Sequence, residues 1–301
     1  MEALLSVSFD NISSKDSTKI RKGLRQIEGL LAQLCLKSTS RAQNKRSSSV
    51  VANGQSPSKQ LGQVAEDPAF KEFFRLQEGF EWNVATRLIS CIERLLGMGS
   101  NGQCDLLILS TLDLLQGVLL LHPPSRTLFS REIYMNLLLD LLDAANPPRV
   151  QSQTLLVLVT ALLATPQNTR AFEDIDGLLT VTSLFKSRST SREVKMKCLE
   201  FLYFYLMPET AAASASASAS ASAPITAVLQ RSPSKLLGAA KGAATHAGGG
   251  GGAGGDDGGE DGEKMTRTTE EKQRMLGRYL NNVDELVQDL RENAPFGAAV
   301  C

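Results

Sequence analysis

Histidine and cysteine are the side chains best suited to nucleophilic or metal chemistry near neutral pH. This chain has two of the first and five of the second. His122 stands beside Pro123-Pro124 at the end of an apolar run, where an imidazole suits the negative end of a helix dipole. His246 lies in a Gly- and Ala-rich tract and is expected to face solvent. Neither belongs to an HExxH pattern, and no Cys/His cluster has ligand spacing, so no metal and no cofactor is expected. The GxSxG turn that exposes a nucleophilic serine is missing. No cysteine-phosphatase loop, in which a thiolate and a guanidinium surround one phosphate, is expected either. The Gly-rich tract 248–259 has no following Gly-Lys-Ser/Thr and no preceding strand, which removes a phosphate-cradling loop. Asp113, Asp140 and Asp143 fall on helical surfaces as ordinary solvated carboxylates. No catalytic residue emerges, and a non-enzyme is expected.

The cysteines are Cys35, Cys91, Cys104, Cys198 and Cys301, an odd number without a CxxC pair. That usage fits reduced thiols in cytosol or nucleus. Three lie in apolar helical stretches and read as small buried hydrophobes.

Two serines carry a different kind of chemistry. Ser56 and Ser232 each open an SPSK tetrapeptide in polar, low-complexity surroundings. Ser-Pro with a basic residue at this spacing suits proline-directed kinases. A phosphate there adds nearly two negative charges beside Lys59, or beside Arg231 and Lys235.

The elements that would position these residues are helical. Ile20, Leu24, Ile27, Leu31 and Leu34 form one apolar stripe, so residues 1–37 are assigned an N-terminal helix capped at Asp16 or Ser17. Residues 38–66 are rich in Ser, Gln, Asn and Lys and read as a flexible loop. A helical core is assigned to 67–209, starting at Asp67-Pro68. Alternating Ala-Ser and then Gly mark 210–267 as a linker. A last amphipathic helix is assigned to 268–294, with Leu276, Tyr279, Val283, Leu286 and Leu290 as its stripe and Thr268 or Thr269 as its cap. A lone helix of that length is marginal in water, so this stripe is expected to dock, either as a cap on the last repeat or on a partner.

The core repeats. Pro124, Pro166 and Pro208 are 42 residues apart, and each closes an apolar helix: VLLLHPP, VTALLATP and YFYLMP. SRTLF and NTRAF follow the first two and place Phe129 and Phe172 in matching positions. A period near 42 with two or three helices per unit indicates an all-α, armadillo- or HEAT-like stack, in which each unit buries its apolar face against the next. No Trp/Asn ladder recurs along it, and Trp82 stands alone.

Bulk composition narrows the partners. The 32 basic and 32 acidic residues cancel, which argues against a general nucleic-acid binder. The opening MEALLSVSFD has no basic region before its apolar residues, unlike a secretory signal. The most apolar run, Leu106 to Leu121, is too short to span a bilayer, so no membrane insertion is expected. A soluble, intracellular protein is expected.

The stretches LQEGFEWNVATRLISCIERLL, LLILSTLDLLQGVLLLHPPSRTLFSRE and TPQNTRAFEDIDGLLTVTSLFKSRSTSREVKMKCLEFLYFYLMPE resemble the cell division control protein 14 family of the fungal septation initiation network. That family is distinct from the dual-specificity phosphatase of the same name. The resemblance is close from about Phe70 to Glu209 and extends to both terminal helices. It implies a non-catalytic subunit of a germinal-centre-type protein kinase that promotes septum formation. It also implies a cytoplasmic protein that joins spindle-pole-body components in mitosis. It supplies no catalytic residue and no motif for the kinase contact. A generic armadillo-like adaptor for peptide cargo, or a small-molecule or lipid-binding helical protein, are the alternative readings.

Overall fold

The computed structural model describes residues 1–36, 59, 61–98, 102, 104–209 and 266–293, without the side chains of 61, 62 and 289–293. Those residues form thirteen α-helices and one 3-10 helix, with no strand among them, so the all-α expectation holds. The chain divides into two units, Met1–Leu202 and Tyr203–Cys301.

The first unit opens with α1 (Glu2–Ile12) and α2 (Ser17–Cys35), which pack against each other. Asp16 caps α2 by accepting from the Thr18 N–H at 2.8 Å, as its sequence position suggests. The N-terminal helix expected at 1–37 is thus two helices. α1 has no side-chain cap, and its serines favour helix weakly, so local signals are faint. Tertiary burial of Leu5, Phe9 and Ile12 holds it. Gly23 lets it approach α2: a Cβ there would meet Ile12 Cγ2 at 2.6 Å and the Ser8 carbonyl at 2.8 Å. Arg94, far along the chain, donates to the carbonyl of Ile12, one of the helix-end acceptors α1 cannot satisfy itself.

α3 (Leu61–Glu66) lies within the stretch read as a loop, with Val64 buried. The rest of 38–58 is outside the described residues, as is most of the expected 210–267 linker. α4 (Pro68–Glu78) starts where Asp67 accepts from the Ala69 N–H at 2.8 Å, the cap the Asp-Pro pair signals. α5 (Val84–Gly97), α6 (Asp105–Leu121), α7 (Glu132–Asp140), α8 (Pro148–Leu162), α9 (Pro166–Asp174) and α10 (Gly177–Lys186) follow. The 3-10 helix, Pro123–Ser130, turns the chain between α6 and α7. α6 is the hub: it packs on α2, α5, α8 and the 3-10 helix, and Leu112, Leu115, Val118 and Leu119 are fully buried. Its length makes no membrane span, and among the described residues no single helix is long and apolar enough to cross one.

The matching aromatics behave alike. Phe129 and Phe172 are both 0 % exposed, and Phe172 meets the Phe201 ring edge-on at 5.4 Å. Fully burying a side chain of this size stabilises by about 2–3 kcal/mol. α11 (Arg192–Leu206) carries Phe201 and runs through the boundary at Leu202.

In the second unit, α12 (Thr269–Leu276) and α13 (Val283–Asn293) pack together. The single C-terminal helix expected at 268–294 is corrected to these two. α12 ends at Leu276, Gly277 keeps helical backbone angles, and the chain turns through Leu280 before the Asn281-Asn282 pair, whose side chains favour turns over helix. The start is as expected: Thr268 and Glu271 form a reciprocal capping box.

Candidate interaction surface and the fate of the reactive side chains

His122, Cys91 and Cys198 are tied into the core. His122 is 1 % exposed at the C-terminal end of α6. Its Nδ1 lies 2.8 Å from Ser125 Oγ, and Asn83 Nδ2 donates to the same oxygen at 3.1 Å. Asn83 Oδ1 is already committed to the Thr86 N–H at 2.9 Å, which fixes the amide's orientation. Ser125 Oγ therefore accepts from Asn83 and also bonds His122 Nδ1, while His122 Nε2 is buried without a hydrogen-bond partner among the described residues. The ring packs edge-to-face on Phe74 with centroids 4.4 Å apart. Burial pushes the His122 pKa from 6.5 down to about 4, so it is neutral at physiological pH. The dipole role assigned from its sequence position is thereby corrected: a neutral ring has no charge for the helix end to attract. A Ser–His contact exists, but Ser125 is 3 % exposed and its hydroxyl is spent inside the core.

The cysteines follow the hydrophobe reading. Cys91 and Cys198 are buried; burial raises both thiol pKa values, that of Cys198 to about 12. Cys35 and Arg41 stand six positions apart in CLKSTSR, so the spacing of a cysteine-phosphatase loop does occur once, against the expectation of its absence. Cys35 is the last residue of α2 and half-buried, and burial, opposed by nearby Lys59, raises its pKa. A thiolate nucleophile needs the opposite: the positive end of a helix and a depressed pKa. Arg41 and Cys301 are outside the described residues. No group of three metal-ligating side chains occurs among the described residues.

The 42-residue period reappears as polar chemistry. The carbonyls of Gln77, Leu119 and Ala161, each 42 residues after the last, sit in the final turns of α4, α6 and α8. Each accepts a buried side-chain donor from just beyond its helix. Asn83 Nδ2 reaches Gln77 at 2.7 Å, Arg126 Nε reaches Leu119 at 3.0 Å, and Asn168 Nδ2 reaches Ala161 at 2.6 Å. Helix ends leave four carbonyls without partners, so these side chains satisfy acceptors that are otherwise buried at a cost. The same donors tie successive helical segments: Asn83 to Ser125, Asn168 to the Arg126 carbonyl at 2.7 Å, and Arg126 Nη1 to the Leu163 carbonyl at 3.0 Å. A ladder therefore exists, built of mixed residue types rather than a recurring asparagine.

The candidate phosphosites and docking helix divide. Ser56 and Ser232 are outside the described residues. Lys59, the basic residue of the first SPSK, is described: its Nζ pairs with Asp67 and donates to the Leu34 carbonyl at 3.0 Å. That bond, with a further one from the Ala69 N–H, holds the Asp67 carboxyl below its ordinary pKa. In the C-terminal stripe, Leu276, Val283 and Leu286 are buried and Tyr279 is half-buried, while the Leu290 side chain is outside the description. Leu280 and Val287 are buried with them. Lys272, 3 % exposed, anchors α12: its Nζ donates to the Met207 carbonyl at 2.9 Å and pairs with Glu209 at 3.1 Å. It also lies 5.2 Å from the centroid of the Tyr205 ring.

Among the described residues, these features define an all-α protein of short, cross-tied helices in which the His122, Cys91 and Cys198 side chains serve packing. The chain belongs to the family of cell division control protein 14, a SIN component, whose family model matches residues 1–296. It is 27 % identical over 306 residues to the cell division control protein 14 of Schizosaccharomyces pombe, covering 99 % of this chain and 97 % of that one. No solved structure matches the chain. Membership places it among proteins of cell division, cytokinesis and septation.

Proposed function

We propose that this chain is a non-catalytic scaffold subunit that binds a germinal-centre-type protein kinase of the septation initiation network and promotes septum formation. The observation that carries the reading is the family match across residues 1–296. Burial of His122, Cys91 and Cys198 supports the non-catalytic part. The helical core is read as a short armadillo- or HEAT-like stack, which the ladder at 42-residue spacing supports. The site of action is the cytoplasm, with recruitment to spindle-pole-body components in mitosis.

Phosphorylation tunes this binding at Ser232 more readily than at Ser56. A proline-directed kinase reading Ser56 has to displace Lys59 from Asp67 and from the Leu34 carbonyl before it can use that lysine. The C-terminal helices cap the end of α11, since Lys272 brings a cation to the Met207 carbonyl beyond its last turn. Affinity purification of the tagged full chain from dividing cells, with mass spectrometry and direct binding to the purified kinase, tests the central reading. A kinase of this type is expected to co-purify and bind. Absence of both overturns it.

A further inference from the structure

α2 divides its charges along one edge. Its buried stripe faces the core, while Arg21 and Arg25, one turn apart, are exposed, and Glu28 follows one turn later. That edge and α6 flank an open groove of about 560 Å³, a size that takes ligands. Leu24 and Leu107 form its buried floor, Leu109 and Leu114 are half-buried in its walls, and Leu106 is 67 % exposed. Asp113 lines it from α6, and its pKa is raised by burial and then by Glu28. Like charges therefore meet here. Among the described residues, the exposed side chains of Arg21, Arg25, Glu28 and Asp113 have neither a hydrogen bond nor an ion pair. Lys272 and Glu209, in contrast, are buried and paired at 3.1 Å.

We propose that this groove docks a partner segment with an acidic end, a central apolar anchor and a basic end, and that the kinase subunit supplies it. The inference rests on the kinase-binding reading above. The acidic end meets Arg21 and Arg25, the apolar side chain covers Leu106 and Leu109, and the basic end separates Glu28 from Asp113. Charge complementarity selects this occupant over others. A nucleic acid or an anionic membrane would be repelled by Glu28 and Asp113, and a small anion would leave the leucines uncovered. A segment of mixed charge uses every exposed group. Ser110 does not compete, since its hydroxyl donates to the Leu106 carbonyl at 2.9 Å within its own helix. Such an arrangement reads peptide register through opposite charges at its two ends.

The test uses the full chain and three variants at exposed positions: Arg21→Glu with Arg25→Glu, Glu28→Lys with Asp113→Lys, and Leu106→Glu. Each is expected to melt within a few degrees of the unmodified chain. Equilibrium binding is measured to the purified kinase and to two synthetic peptides. One peptide places acidic and basic residues at opposite ends of a leucine anchor; the other scrambles the same composition. The expected result is binding of kinase and segregated peptide, at least tenfold weaker for each variant, with the scrambled peptide bound no better than the variants bind. Variants that fold and bind both probes like the unmodified chain overturn the proposal. If the unmodified chain binds the segregated peptide but not the kinase, the kinase assignment falls while the groove stands. If it binds the kinase but no variant weakens that binding, the kinase reading stands and the groove falls.

Discussion

Lowering the pH from 7.5 to 4 should expose the burial of His122 as a stability slope. The folded protein holds this imidazole neutral with a pKa of about 4, and the unfolded chain titrates near 6.5. The native state therefore binds fewer protons between those values, and acid favours unfolding. Above pH 7.5 the group contributes no pH dependence. From 6.5 down to 4 stability falls at up to about 1.4 kcal/mol per pH unit, or about 3 kcal/mol in all, and below 4 the contribution is constant. Carboxylates such as Asp67, whose folded pKa is depressed, add their own loss as pH falls. The His122→Gln variant removes the imidazole and keeps those carboxylates, so the difference between the two proteins isolates His122. The assay is urea unfolding at pH 7.5, 6.5, 5.5 and 4.5, with histidine NMR resonances followed in parallel. His122 should show no titration above pH 5 in the folded chain. Parallel stability profiles for the two proteins, or a His122 resonance titrating near 6.5, would refute the buried Asn83–Ser125–His122 relay.

Phe172→Ala should cost about 4 kcal/mol by leaving a cavity beside Phe201, read by denaturant unfolding; a loss under about half a kilocalorie contradicts its core position. Gly177→Ala should cost about 1–3 kcal/mol, because the added Cβ would collide with the Phe172 ring and carbonyl; an unchanged midpoint would show that the turn relaxes freely. Asn168→Ala leaves the Arg126 and Ala161 carbonyls buried without their donor and should cost about 2–4 kcal/mol; a smaller effect than at an exposed asparagine would break the ladder argument. Lys272→Met should loosen α12 by about 3 kcal/mol in hydrogen exchange, the low end for a broken buried pair since the Arg267 N–H still bonds Glu209; unchanged protection would show the anchor to be idle.

Helix periodicity and caps were the legible part of this fold. The apolar stripe of α2, the Asp67-Pro68 start of α4 and the Thr268 capping box all sit where residue types and spacing indicate. What escaped was structure supported from a distance. α1 has no cap and exposes Leu4 and Val7, so its sequence shows no clean stripe; its support comes from Gly23 and Arg94, far along the chain. The break between α12 and α13 escaped for the converse reason. Leu276, Val283 and Leu286 keep a helical register across it, so the pattern continues where the backbone does not. The groove between α2 and α6 was invisible because Arg21, Arg25, Glu28 and Asp113 each look like an ordinary solvated charge until two helices some eighty residues apart are set side by side.

The ladder explains why a repeat can persist where its residues do not. Each rung is defined by its acceptor, and the acceptor is backbone: the carbonyl of Gln77, Leu119 or Ala161. Any side chain of suitable reach that donates a hydrogen bond satisfies it, so Asn83, Arg126 and Asn168 are equivalent in role although their types differ. Such a rung requires spacing and donor chemistry and leaves residue identity free. The prolines and phenylalanines are more constrained, because a helix stop and a buried aromatic volume each admit few substitutes. A repeat of this kind is therefore seen in sequence as punctuation, Pro124, Pro166 and Pro208, while the contacts that join one unit to the next become visible only with the backbone in view.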